Sequence, residues 1–597
     1  MVVMGENKVG KSNFLHALRL VLDPSLPDSA RQLRMEDFWD GLARPLAMDA
    51  CILVSIDITD FEDNVDHLAI LAEHIVQPTP MVSRLTYIFR PKPDLKEAPQ
   101  KESHYEFTTY GADRYENRVG YELRKRLPMD LIPALRDCEG DLARWTRSPL
   151  RPLLDNAAGE IDRAKLEKLA GELDVIAEGI ANIPEVKAVA VAISDKLHEM
   201  VGSAQALEMM LRFSPSDTDR LIRTLKLFID GGVRGISDAS LGTANLLYFA
   251  LKALEYEQLV KDGSRDHTFL AIEEPEAHLH PNLQRLIFRN YLRKRDITNQ
   301  DVTLPQSSTV IVTTHSPHIA SVTPLRDFIC LRYDSASRAT KAVSTSSIEL
   351  LPDEFTDMER YIDVNRGEML FARGVILVEG DAEKFLIPVL AKQQGYDLDE
   401  LGISVCSISG VDFTAYLKFI GPRGLNIPYA VLTDYDPGSE YFDGTPRFNT
   451  DGSQVFSKTG KFVEALSITR LKSMTEAILP IGADFSRDTQ TLFKESNSRG
   501  FFVNTHTLEV ELFNCGLYLE FLATIKALLP DRVYEKRMQK WTEDLTAFDA
   551  EQFLKDIDKV GKGRFAQRLS CAILETGKGA CPEYIIEGIK HVAARLV

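Results

Sequence analysis

MVVMGENKVGKSN, residues Met1 to Asn13, opens the chain, and its reading decides the fold of the first half. Gly5 to Ser12 has the spacing G-x-x-x-x-G-K-S, set between a short apolar run, MVVM, and the amphipathic run NFLHALRLVL. A strand, a glycine-bearing loop and a helix in that order turn backbone N–H groups and a helix N-terminus towards phosphate oxygens. Lys11 is then placed for the β- and γ-phosphates, and the Ser12 hydroxyl for the accompanying Mg²⁺. Gly5, Asn7, Gly10, Lys11, Ser12 and Asn13 are the expected nucleotide-binding residues of this loop.

With 597 residues, 44% hydrophobic and 26% charged, the composition is that of a globular protein with room for about two to four domains. There is no apolar run of membrane-spanning length and no basic-then-apolar leader, so a cytoplasmic protein without a membrane partner is expected. The seven cysteines are scattered and form no C-x-x-C pair. That pattern fits a reducing compartment and excludes a zinc ribbon. A formal net charge of −18 counts against a nonspecific grip on nucleic acid, although carboxylate clusters that bind metal also drive the sum down.

Apolar strand signals and helical runs alternate along the chain. Strands are expected at Cys51–Ile58, Leu85–Phe89, Thr268–Ile272, Thr309–Thr313 and Asp327–Arg332, with helices at Leu241–Tyr256 and Pro281–Arg293. Between Pro149 and Leu211 the period is helical and too short for a long coiled-coil arm, which predicts a compact insert. A second alternation starts near Gly374: VILVE, EKFLIPVLAKQQ, ISVCSI, FTAYLKFI, YAVLTDYD. The expected class is α/β, two units in tandem with a boundary near Asp353–Gly374. Asp443–Lys461 reads as a loop inside the second unit.

Three further segments belong with the opening loop. HTFLAIEEPE ends an apolar strand in acids: Glu273 for the Mg²⁺ water shell and Glu274 as the base that activates the attacking water. TTHSP follows another strand and places His315 where it can sense the γ-phosphate. SDASLGTANLLYFAL puts Ser240, Gly242 and Asn245 at a helix start, an anion site in its own right. Together these residues resemble the ATP-binding-cassette (ABC) ATPases of the SMC and RecF type. That resemblance implies a head-to-tail dimer in which the Ser240–Asn245 signature segment completes the ATP site of the other subunit. EEPEAHLHP is similar to the DNA-associated branch of that superfamily rather than to transporter ATPases. Arg34–Phe38 is a candidate neighbourhood for a Q-loop.

The second alternation carries acids at its strand ends. VILVEGDAEKF gives Glu379 at a strand end and Glu383 in the first turn of the next helix, able to face the same cavity. YAVLTDYDPG gives Asp434 and Asp436, which an extended backbone points to one side. Oxygen ligands in this number suit a hard cation, Mg²⁺ or Mn²⁺, and two such ions can stabilise the attacking and leaving oxygens of a phosphodiester displacement. The pattern resembles the TOPRIM fold of topoisomerases, primases and some nucleases. No separate tyrosine-bearing domain and no zinc ribbon accompany it, which leaves hydrolytic cleavage. Ser409–Gly410 is a further candidate for a metal or phosphate contact. VNTHTLEVEL adds Glu509 and Glu511, and GKGRFAQRL adds Lys562, Arg564 and Arg568, cations suited to a charged transition state.

An ABC ATPase followed by TOPRIM on one chain resembles the OLD (overcoming lysogenization defect) family of nucleases, with the helicase-associated Gabija type as one subclass. The resemblance implies an ATP-regulated, metal-dependent DNA endonuclease, with a role in anti-phage defence or DNA processing. It also implies a homodimer or larger homo-oligomer and a helicase-like partner protein. Carried over residue by residue, it implies Glu379, Glu383, Asp434, Asp436 and Glu509 as metal ligands and Lys562 as the catalytic cation, Glu379 being the central catalytic acid. The domains implied are an ABC part at 1–148, a helical insert for dimerisation at 149–212, a second ABC part at 213–365 and TOPRIM at 366–597. The family begins with strands before the phosphate loop, so the first sheet is expected to lack its front edge. A different reading is an ATP-dependent DNA clamp whose TOPRIM unit only makes contacts. A transporter ATPase would leave the second unit without a purpose.

Overall fold

The computed structural model describes residues 1–134, 137–146, 148–201, 222–289, 308–334, 336–362, 367–435, 455–456, 462–463, 466–480, 482–485, 489–543, 550–577 and 579–596. Among these residues the first sheet has six strands. Val2–Gly5 lies at its centre, parallel to Ser308–Thr314 on one side and Phe328–Asp334 on the other. Thr268–Glu273 pairs outside Ser308–Thr314, and Met129–Ile132 pairs outside that, all parallel. The opposite edge is Ala339–Ser344, antiparallel to Phe328–Asp334. Strands in this position are covered on both faces, which is why they read as unbroken apolar runs. Val2 and Met4 point into one core and Val3 into another.

An antiparallel sheet precedes the helical region: Ile52–Ile58, Met81–Pro91, Tyr105–Gly111 and Arg114–Arg118, with Ile75–Pro78 paired to the second of these. Its inner face packs over the helix Lys11–Leu22 through Leu85, Tyr87 and Phe89. The insert is seen as helices Leu150–Glu160, Arg163–Ala181 and Pro184–Val201; the rest of the expected helical run lies outside the described residues.

Among the described residues the second unit has a four-stranded parallel sheet in the order Ile403–Ser407, Gly374–Val378, Tyr429–Thr433, Phe501–Val503. Val375, Leu377 and Val431 face the ATPase side, while Ile376, Val378, Ala430 and Leu432 face a second core built on the C-terminal helices. Those helices include Tyr518–Leu528, Lys562–Thr576 and Glu583–Ala593. The expected boundary at Asp353–Gly374 is occupied by the helix Pro352–Tyr361 and a short turn, Gly367–Leu370. It is no hinge in packing terms. One continuous core runs from Val2, Ile272 and Phe328 through Met358, Ile362 and Met369 to Leu377, Val431 and Phe501. Most of the expected loop at Asp443–Lys461 lies outside the described residues, which include only the two-residue strand Val455–Phe456 there.

Candidate ATP and metal sites

The phosphate loop follows from its glycines. At Gly5 (φ 156°) a Cβ would lie 2.4 Å from the Leu331 carbonyl oxygen, and Gly10 turns into the helix at φ 91°. Any side chain at Gly5 would push the loop off the neighbouring strand. Lys11 is buried, and its Nζ donates back to the Gly5 and Glu6 carbonyls at 3.0 and 2.8 Å. Burial lowers its pKa, against the pull of Glu274 and Glu276. Asn7, Ser12 and Asn13 are exposed at the mouth of the loop.

Glu273 closes the strand Thr268–Glu273, and Glu274 follows in the left-handed region at φ 43°. A non-glycine residue held there is characteristic of functional sites. Its carboxylate stands 3.6 Å from His315 Nε2. Burial first, then the charge of Lys11, lowers the His315 pKa, while Glu274 raises it. Lys11, Glu274 and His315 therefore form one cluster. A residue that sequence reasoning passed over completes it. Glu276 Oε1 accepts from the His315 N–H at 2.7 Å and Thr314 Oγ1 at 2.8 Å, and its buried Oε2 has no hydrogen-bond partner. Burial pushes its carboxyl pKa up. The third acid of EEPE was the available signal.

The signature segment divides. Ser240 is exposed and caps the helix Leu241–Lys261, its Oγ accepting from Thr243 N–H. At Gly242 a Cβ would stand 3.0 Å from the His278 carbonyl oxygen, so helix and acid-bearing loop pack closely. Asn245 lies on the inner side of this helix start. It is buried, its Nδ2 donates to the Ala277 carbonyl at 3.1 Å and its Oδ1 accepts from the Cys138 thiol at 2.8 Å. Its side chain ties the helix to the Glu276–His278 loop of its own subunit and does not face outward.

In the second unit Glu379 directly follows the strand Gly374–Val378. Its Oε1 accepts from Thr433 Oγ1 (2.5 Å), the Asp434 N–H (2.9 Å) and Arg470 Nη1 (2.7 Å). Asp434 ends the neighbouring strand, and its Oδ1 accepts from Asn504 Nδ2 at 2.5 Å and the Leu508 N–H at 3.0 Å. Glu383 lies in the first turn of the helix Asp381–Gln393; burial first, then Glu509 and Glu379, push its carboxyl up to about 7. Glu509 lies buried on the helix Leu508–Leu512, 3.7 Å from Lys562 Nζ at the start of Lys562–Thr576. Burial lowers the Lys562 pKa, but Glu509 and Asp434 overcome it and the net shift is upward. Glu511 turns away to accept from the Thr505 N–H at 2.9 Å, because residues two apart on a helix face differently. The Ser409–Gly410 turn lies beside Glu379, whose carbonyl accepts from the Gly410 N–H at 3.0 Å. Asp436 lies outside the described residues.

Among the described residues no three His, Cys, Asp or Glu side chains already converge on one point. Two cations are interleaved with the acids, Arg470 on Glu379 and Lys562 on Glu509. The donor set nevertheless fits a hard dication. It is all carboxylate oxygen, Glu509 Oε2 is buried without a hydrogen-bond partner, and the Glu383 carboxyl is raised first by burial and then by the neighbouring Glu509 and Glu379. Arg470, Asn504 and Tyr584 were not anticipated. The Tyr584 hydroxyl is buried near Asp434 and Glu383, and burial raises its pKa.

The two sites are joined. Glu6 of the phosphate loop stands 3.6 Å from Arg373, which enters the strand bearing Glu379. The half-buried Arg332, on a strand paired with Val2–Gly5, donates to the Ala372 carbonyl at 3.1 Å. A cleft of about 480 Å³ lies between them, lined by Glu6, His315, Arg373 and Ser404.

Fold and site define a phosphate-loop ATPase continuous with a TOPRIM unit. Family models match accordingly: an AAA ATPase domain at 151–320 and an overcoming lysogenization defect protein-like TOPRIM domain at 370–436. The Old nuclease of Escherichia phage P2 is 24% identical over 434 residues, covering 68% of this chain and 69% of that one. Endonuclease GajA of Bacillus cereus is 24% identical over 245 residues, 38% of this chain and 34% of that one. The solved C-terminal region of the Burkholderia pseudomallei OLD protein is 37% identical, covering 38% of this chain and all of that one (TM-score 0.31). The chain belongs to the OLD family.

Proposed function

We propose that the protein is a divalent-metal-dependent DNA endonuclease whose cleavage is regulated by an ATPase site on the same chain. The observation that carries this reading is the neighbourhood of Glu379, Glu383, Asp434 and Glu509, whose charges act on one another and on the cation Lys562. The Old nuclease and Endonuclease GajA names of its relatives support the same class. Glu379, Glu383, Asp434, Asp436 and Glu509 would hold Mg²⁺ or Mn²⁺, which activates a water nucleophile and stabilises the leaving oxygen. Thr433, Asn504 and the backbone at Asp434 and Leu508 fix the carboxylates. Lys562, kept protonated by Glu509 and Asp434, offers positive charge to the phosphate as its oxygens gain charge.

In the ATPase half, Lys11 binds the terminal phosphates, Ser12 and Glu273 serve the nucleotide's Mg²⁺, Glu274 orients the attacking water, and His315 links that water to the rest of the site. Ser240 and Gly242 serve the ATP site of a second copy in a homodimer. Glu6 and Arg373 carry the nucleotide state across the joint to the strand ending in Glu379. An anti-phage role and a helicase-like partner fit the family.

Plasmid cleavage with Mg²⁺ or Mn²⁺, titrated with ATP, tests the reading. Glu379→Ala with folding intact should abolish nicking, and Lys11→Ala should remove the response to ATP but keep nicking. Unchanged cleavage by Glu379→Ala in the presence of metal would overturn the assignment.

A further inference from the structure

The guanidinium of Arg470 is the least expected group in the acidic cavity. It comes from the helix Leu466–Ile478, and its side chain is 9% exposed. One nitrogen, Nη1, lies within hydrogen-bond distance of Glu379 Oε1 (2.7 Å), Thr433 Oγ1 (2.6 Å) and the Asp434 carbonyl (3.1 Å), which share its N–H groups. All three acceptors stand at the ends of the two central strands, beside Glu379 and Asp434. A guanidinium keeps its charge at any pH a protein meets, so this is a permanent positive charge on the central acid.

That placement has an electrostatic consequence. A divalent ion sits roughly 2.0–2.6 Å from a carboxylate oxygen and draws on the charge of the whole group. With three donors already on Oε1, Glu379 has its charge shared out before an ion arrives. An ion on the remaining oxygen would lie a few ångström from the guanidinium, and both side chains are largely shielded from solvent, so like charges repel more strongly than in water.

We propose that Arg470 is a positioning residue that competes with the first divalent ion for Glu379 and holds down the metal affinity of the free enzyme. The proposal rests on the metal-nuclease reading of this cavity. In consequence the negative phosphates of DNA supply the charge that Arg470 withholds, so the metal is held firmly only when substrate is present.

The test is direct binding of Mn²⁺ alone to the full chain, followed by electron paramagnetic resonance of the free ion. Arg470→Gln keeps a donor for Thr433 and Asp434 but removes the charge; it should bind the first Mn²⁺ at least tenfold more tightly than wild type. Arg470→Lys keeps the charge and should bind within about twofold of wild type, which also controls for misfolding. Unchanged or weaker binding by Arg470→Gln, with a wild-type melting profile, would overturn the proposal and make Arg470 a support for the metal ligands. Absence of Mn²⁺ binding in wild type and both variants would overturn it together with the metal-nuclease reading. Binding by wild type that Glu379→Ala removes would leave the nuclease reading standing whichever way Arg470 falls.

Discussion

Glu383→Gln should make the protein more stable and inactive at once. The Glu383 carboxyl is pushed up to about 7 by burial and by the charges of Glu509 and Glu379, against an ordinary value of 4.5. A group that binds its proton more tightly when folded destabilises the fold once that proton is lost. Stability therefore rises as pH falls from about 7 to about 4.5, and that gain is lost as pH rises through about 7. At about 1.4 kcal/mol per pH unit, the gap corresponds to about 3 kcal/mol at pH 8. Glutamine has the same shape without the charge, so the variant should recover most of that in chelator and lose the pH slope between pH 5 and 7.5. The assay is urea unfolding of the full chain in EDTA at half-unit pH steps, read by fluorescence; Trp541 is buried among the C-terminal helices. Adding Mg²⁺ should stabilise the wild type and leave the variant nearly unmoved. Parallel pH profiles for the two proteins would refute the reasoning, because Glu383 would then not be the strained acid of the cavity.

Two further outcomes follow from the sites. Lys562→Met should lower the single-turnover cleavage rate on the order of 10²- to 10³-fold at saturating Mg²⁺, measured by quenched-flow nicking, while Mn²⁺ binding is retained or tightened as Glu509 is freed. Glu274→Gln should cut steady-state ATP hydrolysis by roughly 10²-fold, yet leave nucleotide binding by a fluorescent ATP analogue intact, since in the proposed reading Glu274 would act on the water and Lys11 on the phosphates.

The parts of the fold legible in the sequence are those where a local pattern and a chemical motif coincide. GENKVGKS, EEPE and TTHSP each follow an apolar strand, and parallel strands buried on both faces leave unbroken apolar runs. The same holds for VILVEG and YAVLTD in the second unit. Less legible was whatever depends on distant pairing. Met129–Ile132 joins the first sheet across the whole helical insert, and its four residues carry no periodic signal of their own. Arg470 reaches Glu379 from a helix 91 residues on, a spacing no motif records. Asn245 sits at a helix start in a segment that reads as a signature, yet packing of that helix on the Ala277 loop turns its amide inward. The tandem reading also missed that the hydrophobic pattern on either side of Asp353–Gly374 belongs to one core.

That shared core bears on how such proteins can be recombined. Met358, Ile362, Met369 and Leu370 contact apolar groups contributed by both halves. A chimera joining the first half of one homologue to the second half of another at this seam therefore mates two surfaces shaped by separate histories. Cavities or clashes would fall in the middle of the molecule rather than in a tolerant linker. Successful exchanges should carry the facing residues of the Gly374–Val378 and Phe328–Asp334 strands with them, so the inheritable module is the interface, not either half.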